Sequence, residues 1–296
     1  MEKRHDNYHL FLLLLGVIAV STGAIFTKLA DEVPAITLSA YRLAIPTLIF
    51  FPFAWVTSKK EIISLNSGTC IMGILSGIAL AGHFTLWITS LGYTSIARSL
   101  VFVNTTPLWI VIFAPFITGE KITRPLLISI AVSMAGVIFM GLKGDHHGSD
   151  VFKGDALALA GGACLAIYLM LGNRIRRELS LLPYVCLCYG AGSAILWLIV
   201  LFAGLPCSGF SFSNTLAILG IAIIPQVFGH TIYNWSLKWL STGIVSVTLF
   251  IEPVMGALYG YFLFHERLSL YDIIGGTLIL TGVFFVSKYS GRAKPL

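Results

Sequence analysis

Residues 97–141 read ARSLVFVNTTPLWIVIFAPFITGEKITRPLLISIAVSMAGVIFMG, and residues 243–286 read GIVSVTLFIEPVMGALYGYFLFHERLSLYDIIGGTLILTGVFFV. The second stretch echoes the first. Pro107 aligns with Pro253, Phe116 with Phe262, Glu120 with Glu266 and Gly136 with Gly282, all at one offset of 146 residues. Upstream, Ser90, Leu91 and Ser95 match Ser236, Leu237 and Ser241 at the same offset. An ungapped repeat with a period of half the chain points to a protein built twice from one unit. The two units are placed at 1–147 and 148–296.

Composition says what solvent those units face. Of 296 residues, 57% are hydrophobic and 11% charged, where a soluble domain carries about 25% charged residues. About 20 apolar residues at a 1.5 Å rise cross a hydrocarbon core of roughly 30 Å. Ten such segments are expected, at roughly 8–30, 36–57, 68–91, 95–117 and 124–142, then 152–173, 181–203, 214–238, 242–264 and 270–288. The fold class is therefore an all-α integral membrane protein with ten transmembrane helices. Five helices per half is an odd number, so the second half enters the membrane from the opposite side. The expected architecture is two inverted five-helix repeats around a central cavity, related by an axis in the membrane plane.

Charge sets the orientation. With the N-terminus in the cytoplasm, thirteen Lys and Arg residues fall in cytoplasmic segments and five outside, while Arg42 lies inside the second segment. This bias predicts that both termini are cytoplasmic, as expected of a bacterial inner membrane protein. Met1–Leu29, with Lys3 and Arg4 ahead of an apolar run, has the form of a signal peptide. The repeat needs it as the first helix, so it is expected to be retained. The net charge of +6 is spread between apolar runs and does not mark a nucleic-acid partner. The five cysteines lie mostly within apolar runs, and the Cys186/Cys188 spacing fits neither a zinc site nor a CxxC redox pair. The linker KGDHHGSDVFK (143–153) offers Asp145, His146, His147 and Asp150 to a metal, but reads more simply as a solvated turn. No metal and no cofactor is expected.

Polar groups inside a bilayer are costly and mark function by default. Here they are Arg42, His83, Asn104, Gln226, His230, Asn234 and Glu252. Counting 1.5 Å per residue puts Glu252 and Asn104 near the midplane, Arg42 and His83 roughly 5 Å toward the outside, and His230 roughly 5 Å toward the cytoplasm. Gln226, His230, Tyr233 and Asn234 follow the i, i+4, i+7, i+8 spacing of one helix face. Ser76, His83, Trp87 and Ser90 share a face of the third segment. Under the 146-residue offset Trp87 falls on Tyr233 and Phe84 on His230, so the two stripes are equivalent. Both are expected to face a central cavity whose substrate contacts are His83, Trp87, Asn104, Gln226, His230, Tyr233, Asn234 and Glu252.

Glu252 has three open roles: carrying a proton, contacting a cationic substrate group, or pairing with Arg42. Pro107 and Pro253 each remove a backbone donor and free a carbonyl one turn earlier, so both are expected to bend their helices and let the ends swing. Glu120 and Glu266 are expected at helix ends, satisfying the free N–H groups of the helix that follows each. Gly136, Gly141, Gly275, Gly276 and Gly282 suggest close helix contacts, within the chain or between protomers.

These features carry a family resemblance. The ten-helix pattern, the doubled five-helix unit, the run from Pro107 to Gly119-Glu120-Lys121-Ile122 and its copy from Glu252-Pro253 to His265-Glu266-Arg267-Leu268 resemble the drug/metabolite transporter superfamily, EamA type. The resemblance covers the whole chain. It implies alternating access, with the third and fourth helices and the eighth and ninth rocking as hairpins. It leaves the substrate wide, since the family handles amino acids, other metabolites, nucleotide conjugates and drugs, with many exporters among its members. Where the second copy has Phe250, Ile251 and Glu252, the first has Asn104, Thr105 and Thr106. The acidic group is thus unpaired between the halves.

The expected function is secondary active transport of a small metabolite, an amino acid or related polar or amphipathic compound, with export favoured. Import or exchange of a metabolite or nucleotide-like compound is the alternative. No G-x-x-x-x-G-K-[ST] is present to drive the step with ATP. An intramembrane enzyme would need paired carboxylates, an activated nucleophile or H-E-x-x-H, and the sequence has none of these. The expected partners are a small-molecule substrate and the lipid bilayer, with no nucleic acid, in a monomer or homodimer.

Overall fold

The computed structural model describes residues 2–142, 150–264 and 267–290. Asp145, His146, His147, His265 and Glu266 lie outside the described residues. Every regular element described is helical, and ten runs are long and apolar enough to cross a membrane, as the composition requires. A helix closes its own backbone hydrogen bonds, which lipid cannot do for it.

Four of the ten runs are interrupted. The first consists of α1 (Glu2–Ser21) and α2 (Gly23–Leu29). The next two are α3 (Ala35–Ile63) and α4 (Ser67–Ser90). The fourth is split into α5 (Ile96–Val103) and α6 (Thr106–Ile117), and α7 (Arg124–Gly141) closes the first half. The second half opens with α8 (Val151–Arg176) and α9 (Leu181–Phe202). Its third run is α10 (Phe212–Ile221), a π-helical segment over Ala222–His230, and α11 (Thr231–Ser236). Its fourth is split into α12 (Thr242–Leu249) and α13 (Ile251–Phe264), followed by α14 (Leu270–Ser290).

Caps mark where the helices start. Ser95 and Ser241, equivalent in the repeat, N-cap α5 and α12, each accepting the backbone N–H three residues on at 3.3 Å. Asp150, at the end of the linker, accepts from Lys153 N at 3.0 Å and caps α8. Glu120 differs from expectation. Its carboxylate accepts from Thr242 N at 2.9 Å and from the Thr242 hydroxyl at 2.6 Å, so it covers the start of α12 in the other half rather than that of α7. Gly119, with φ at +73°, takes the left-handed conformation that lets the chain turn there. Glu61 does the same for α9, accepting from Ser180 N at 2.5 Å and from its hydroxyl.

The packing pairs helices across the halves: α4 with α8, α3 with α9, and α7 with α14. At the α7–α14 crossing a Cβ on Gly136 would stand 2.5 Å from Gly275 O, and one on Gly282 would stand 2.1 Å from Ser133 Oγ. Only glycine allows this approach, and close backbone contact is what drives association in lipid. The Ser133 hydroxyl donates to Ile279 O at 3.4 Å, and these residues are 146 apart. The rings of Phe84 and His230, also 146 apart, lie with centroids 5.1 Å from each other.

Candidate functional site

Three breaks in the helices shape the centre of the molecule. Asn104 and Thr105 separate α5 from α6, and Pro107 stands in the first turn of α6, where its missing N–H has no helical partner to serve. The Val103 carbonyl that Pro107 leaves free accepts the Thr106 hydroxyl at 2.9 Å. In the second half Phe250 separates α12 from α13, and Pro253 stands in the first turn of α13. Each proline therefore sits at an interruption between two half-helices. Glu252 lies in the first turn of α13, at the positive end of that half-helix. The third break is the π segment. Pro225 lies within it, and the Thr231 hydroxyl bonds back five residues to Gln226 O at 3.2 Å. Wide turns of this kind are frequent at functional sites.

These breaks border a buried cavity. Its polar lining is Arg42, His83, Trp87, Asn104, His230, Tyr233 and Glu252, and its apolar lining is Val20, Phe84, Val103, Leu165 and Leu249. The free volume inside is about 20 Å³. That is enough for roughly one or two waters.

Arg42 dominates it. The side chain is 1% exposed. Its guanidinium lies 3.7 Å from the Phe84 ring centroid, and its Nε donates to Gln226 Oε1 at 3.1 Å. The break between α1 and α2 leaves Gly23 beside it, where a Cβ would stand 3.6 Å from Nη1. Glu252 and Arg42 border the same cavity but make no ion pair within 4.0 Å. His83 Nδ1 lies 3.0 Å from Gly161 O; a carbonyl only accepts, so that nitrogen carries the proton. The His83 and Trp87 rings are stacked at 6.4 Å. Asn104 Nδ2 donates to Leu100 O at 2.8 Å, which ties its amide to the end of α5.

Not all of the two stripes meets the cavity. Gln226 reaches it only through Arg42. Asn234 is turned the other way, accepting from the Tyr168 hydroxyl at 2.6 Å and donating to the Tyr189 hydroxyl at 2.9 Å. Tyr233 and Asn234 are neighbours in α11, about 100° apart around its axis, so one can border the cavity while the other meets the tyrosines of α8 and α9. In the third run His83 and Trp87 border the cavity. Ser76 instead bonds the Tyr184 hydroxyl at 2.9 Å, and Ser90 the Ser99 hydroxyl at 2.6 Å.

Sequence reasoning missed the tyrosines of α8 and α9. Tyr168, Tyr184 and Tyr189 are fully buried and hold their hydroxyls in bonds across helices. A tyrosine in the middle of an apolar run signals such a bond, since its hydroxyl needs a partner. Phe84 was visible only as the equivalent of His230, and its stacking on Arg42 depends on the packing of α3 against α4.

The chain as a whole is similar to known proteins. The chain is 24% identical over 286 residues to an uncharacterized transporter of Archaeoglobus fulgidus, covering 93% of this chain and 96% of that one. It is 22% identical to the uncharacterized transporter YoaV of Bacillus subtilis, covering 95% and 99%. It is 21% identical to the pseudopaline exporter CntI of Pseudomonas aeruginosa, covering 93% and 95%. A crystal structure that is 18% identical superposes over 98% of this chain and 99% of its own, with a TM-score of 0.80, and so shares the fold. The description of the EamA-like transporter family matches residues 7–142 and again 152–288. A multi-pass chain matched twice along nearly its whole length, with its helices broken around one buried polar cavity, belongs to the EamA-like transporter family.

Proposed function

We propose that this protein is a secondary transporter that exports a small metabolite, an amino acid or related amphipathic compound, by alternating access. The reading places it in a bacterial inner membrane with both termini in the cytoplasm, as two inverted units of residues 1–147 and 148–296. The observation that carries it is the buried polar cavity at the breaks between α5 and α6 and between α12 and α13. Transporters built from repeats hold substrate near the midplane, at discontinuous helices. His83, Trp87, Asn104, His230, Tyr233 and Glu252 are the proposed contacts on the cavity wall, with Gln226 and Asn234 acting behind it. Space for one or two waters cannot take a metabolite, so the hairpins must part to admit one. Pro107 and Pro253 sit where that movement would be taken up. Export is favoured by the likeness to CntI, a pseudopaline exporter of nearly the same length.

Flux in proteoliposomes tests this. Protein of known orientation should accelerate the movement of at least one labelled amino acid or close analogue, with the compound recovered chemically unchanged. Protein-dependent conversion of the compound, or no flux of any metabolite in a broad panel, would refute it. Import or exchange by the same cavity would appear as flux in the opposite direction or as a requirement for a counter-substrate.

A further inference from the structure

We propose that the cavity recognises a zwitterion, with Arg42 anchoring its carboxylate and Glu252 meeting its amino group; this rests on the reading of the cavity as a transport site. The argument starts from bonds that are missing. Arg42 Nη1, Trp87 Nε1, Gln226 Nε2, His230 Nδ1 and the Tyr233 hydroxyl are all enclosed and have no hydrogen-bond partner among the described residues. These residues are 0–7% exposed. Native interiors leave few buried polar atoms unpaired, and each needs an explanation. Here one of the five is on the Arg42 guanidinium itself, three belong to residues lining the same cavity, and the last is on Gln226, which is bonded to Arg42 Nε. Three of them can only donate, and the other two are able to. What the cluster lacks is an acceptor.

The state of Arg42 narrows which acceptor. Its Nε is engaged by Gln226 Oε1 and one face is covered by Phe84. One edge, with Nη1, is left. A guanidinium edge matches the two oxygens of a carboxylate, and neighbouring Trp and Tyr donors can complete its shell. Glu252 borders the same cavity, makes no ion pair with Arg42 and accepts no hydrogen bond from a described residue. Asn104, with its amide nitrogen engaged, has its carbonyl oxygen left to accept. A simple anion would leave Glu252 unmatched, and a simple amine would leave the donors unmatched. A compound bearing both groups satisfies the two sets at once. Val20, Val103, Leu165 and Leu249 provide an apolar wall for its hydrocarbon part.

The test uses the full-length protein in nanodiscs and four matched probe sets built on alanine, leucine, methionine and phenylalanine. Each set holds the amino acid, its carboxamide, the des-amino carboxylate and the decarboxylated amine, and affinity is read from the concentration dependence of thermal unfolding. At least one amino acid should bind at least tenfold more tightly than its carboxamide and amine. Arg42→Lys should weaken that amino acid and the matching carboxylate by about tenfold or more, and leave the amine unchanged. Glu252→Gln should bring the amino acid down to the affinity of the plain carboxylate. Trp87→Phe keeps an aromatic ring and loses only the indole donor. It should weaken carboxylates several-fold, and it serves should Arg42→Lys fail to fold. Equal binding of acid and carboxamide, an unchanged affinity in Arg42→Lys and Trp87→Phe, or no binding of any carboxylate probe overturns the proposal. Flux of a metabolite that has no carboxylate sinks it and leaves the transport reading standing. Zwitterion binding without flux does the reverse.

Discussion

Asn234 is held by two tyrosines from different helices, and the pair of bonds illustrates how single residues work in this protein. The Tyr168 hydroxyl donates to its oxygen and its nitrogen donates to the Tyr189 hydroxyl, all in a fully buried setting. Tyr168→Phe removes one donor and strands an acceptor. It should destabilise the protein by about 1–3 kcal/mol, seen as a lower midpoint of thermal unfolding in detergent, while ligand affinity stays close to wild type. An unchanged midpoint would show that this network does not hold the centre. Glu252 makes the opposite case, since its carboxylate faces the cavity without a bonded partner. If it carries the coupling proton, Glu252→Gln abolishes the response of flux to an imposed pH gradient while exchange of substrate persists. A mutant with the wild-type pH response excludes Glu252 as the coupling group. The polar residues were legible from hydropathy, because a bilayer makes each one conspicuous. Their partners were not, because Tyr168, Tyr189 and Asn234 meet only through folding.

Among the elements, the broken helices matter most. Pro107 and Pro253 are visible in the sequence at the repeat offset, and each stands at the start of a half-helix. Replacing either with alanine restores a backbone donor and favours one continuous helix. Pro107→Ala and Pro253→Ala should each cut turnover several-fold while affinity for the substrate changes little, as measured by comparing flux with binding. Equal turnover in mutant and wild type would show that the breaks are not where movement occurs. The π segment had no comparable signature. Pro225 was in view, but a proline in a helix can give a kink or a wide turn, and the choice depends on what packs around it. The widened turn ends at His230 on the cavity wall, and α11 then places Tyr233 on the cavity and Asn234 away from it. The α7–α14 crossing is simpler. At Gly282 any side chain would strike Ser133 and the Ser129 carbonyl. Gly282→Leu should part the two helices and cost about 1–3 kcal/mol, read as lost thermal stability and lower yield from the membrane.

Over the whole molecule the two halves bind each other rather than standing side by side. Carboxylates of the first half cap helices of the second, as Glu120 does at Thr242 and Glu61 at Ser180. Arg98 reaches Asp155 with a bidentate contact, the shortest distance being 2.6 Å. Contacts between residues 146 apart follow where α7 meets α14 and where α4 meets the π segment. The proposed topology, with ten spans and the basic residues biased to one side, predicts that tags on the two chain ends are accessible from one side only, the cytoplasmic side. Labelling of the ends from opposite sides would overturn the proposed topology.

The helical class, the ten spans and the doubling of the unit were settled by the chain alone. Lipid leaves the backbone few choices, and a periodic pattern of apolar runs survives without knowledge of contacts. The glutamates show where that knowledge stopped. Local order suggested that Glu120 would serve the helix that follows it, whereas it serves one more than a hundred residues away. The same holds for Arg42, whose neighbours Phe84 and Trp87 come from one other helical run and Gln226 from a second. Hydrogen bonds and ring contacts reach only a few ångströms, so which of them form is decided by how whole helices cross.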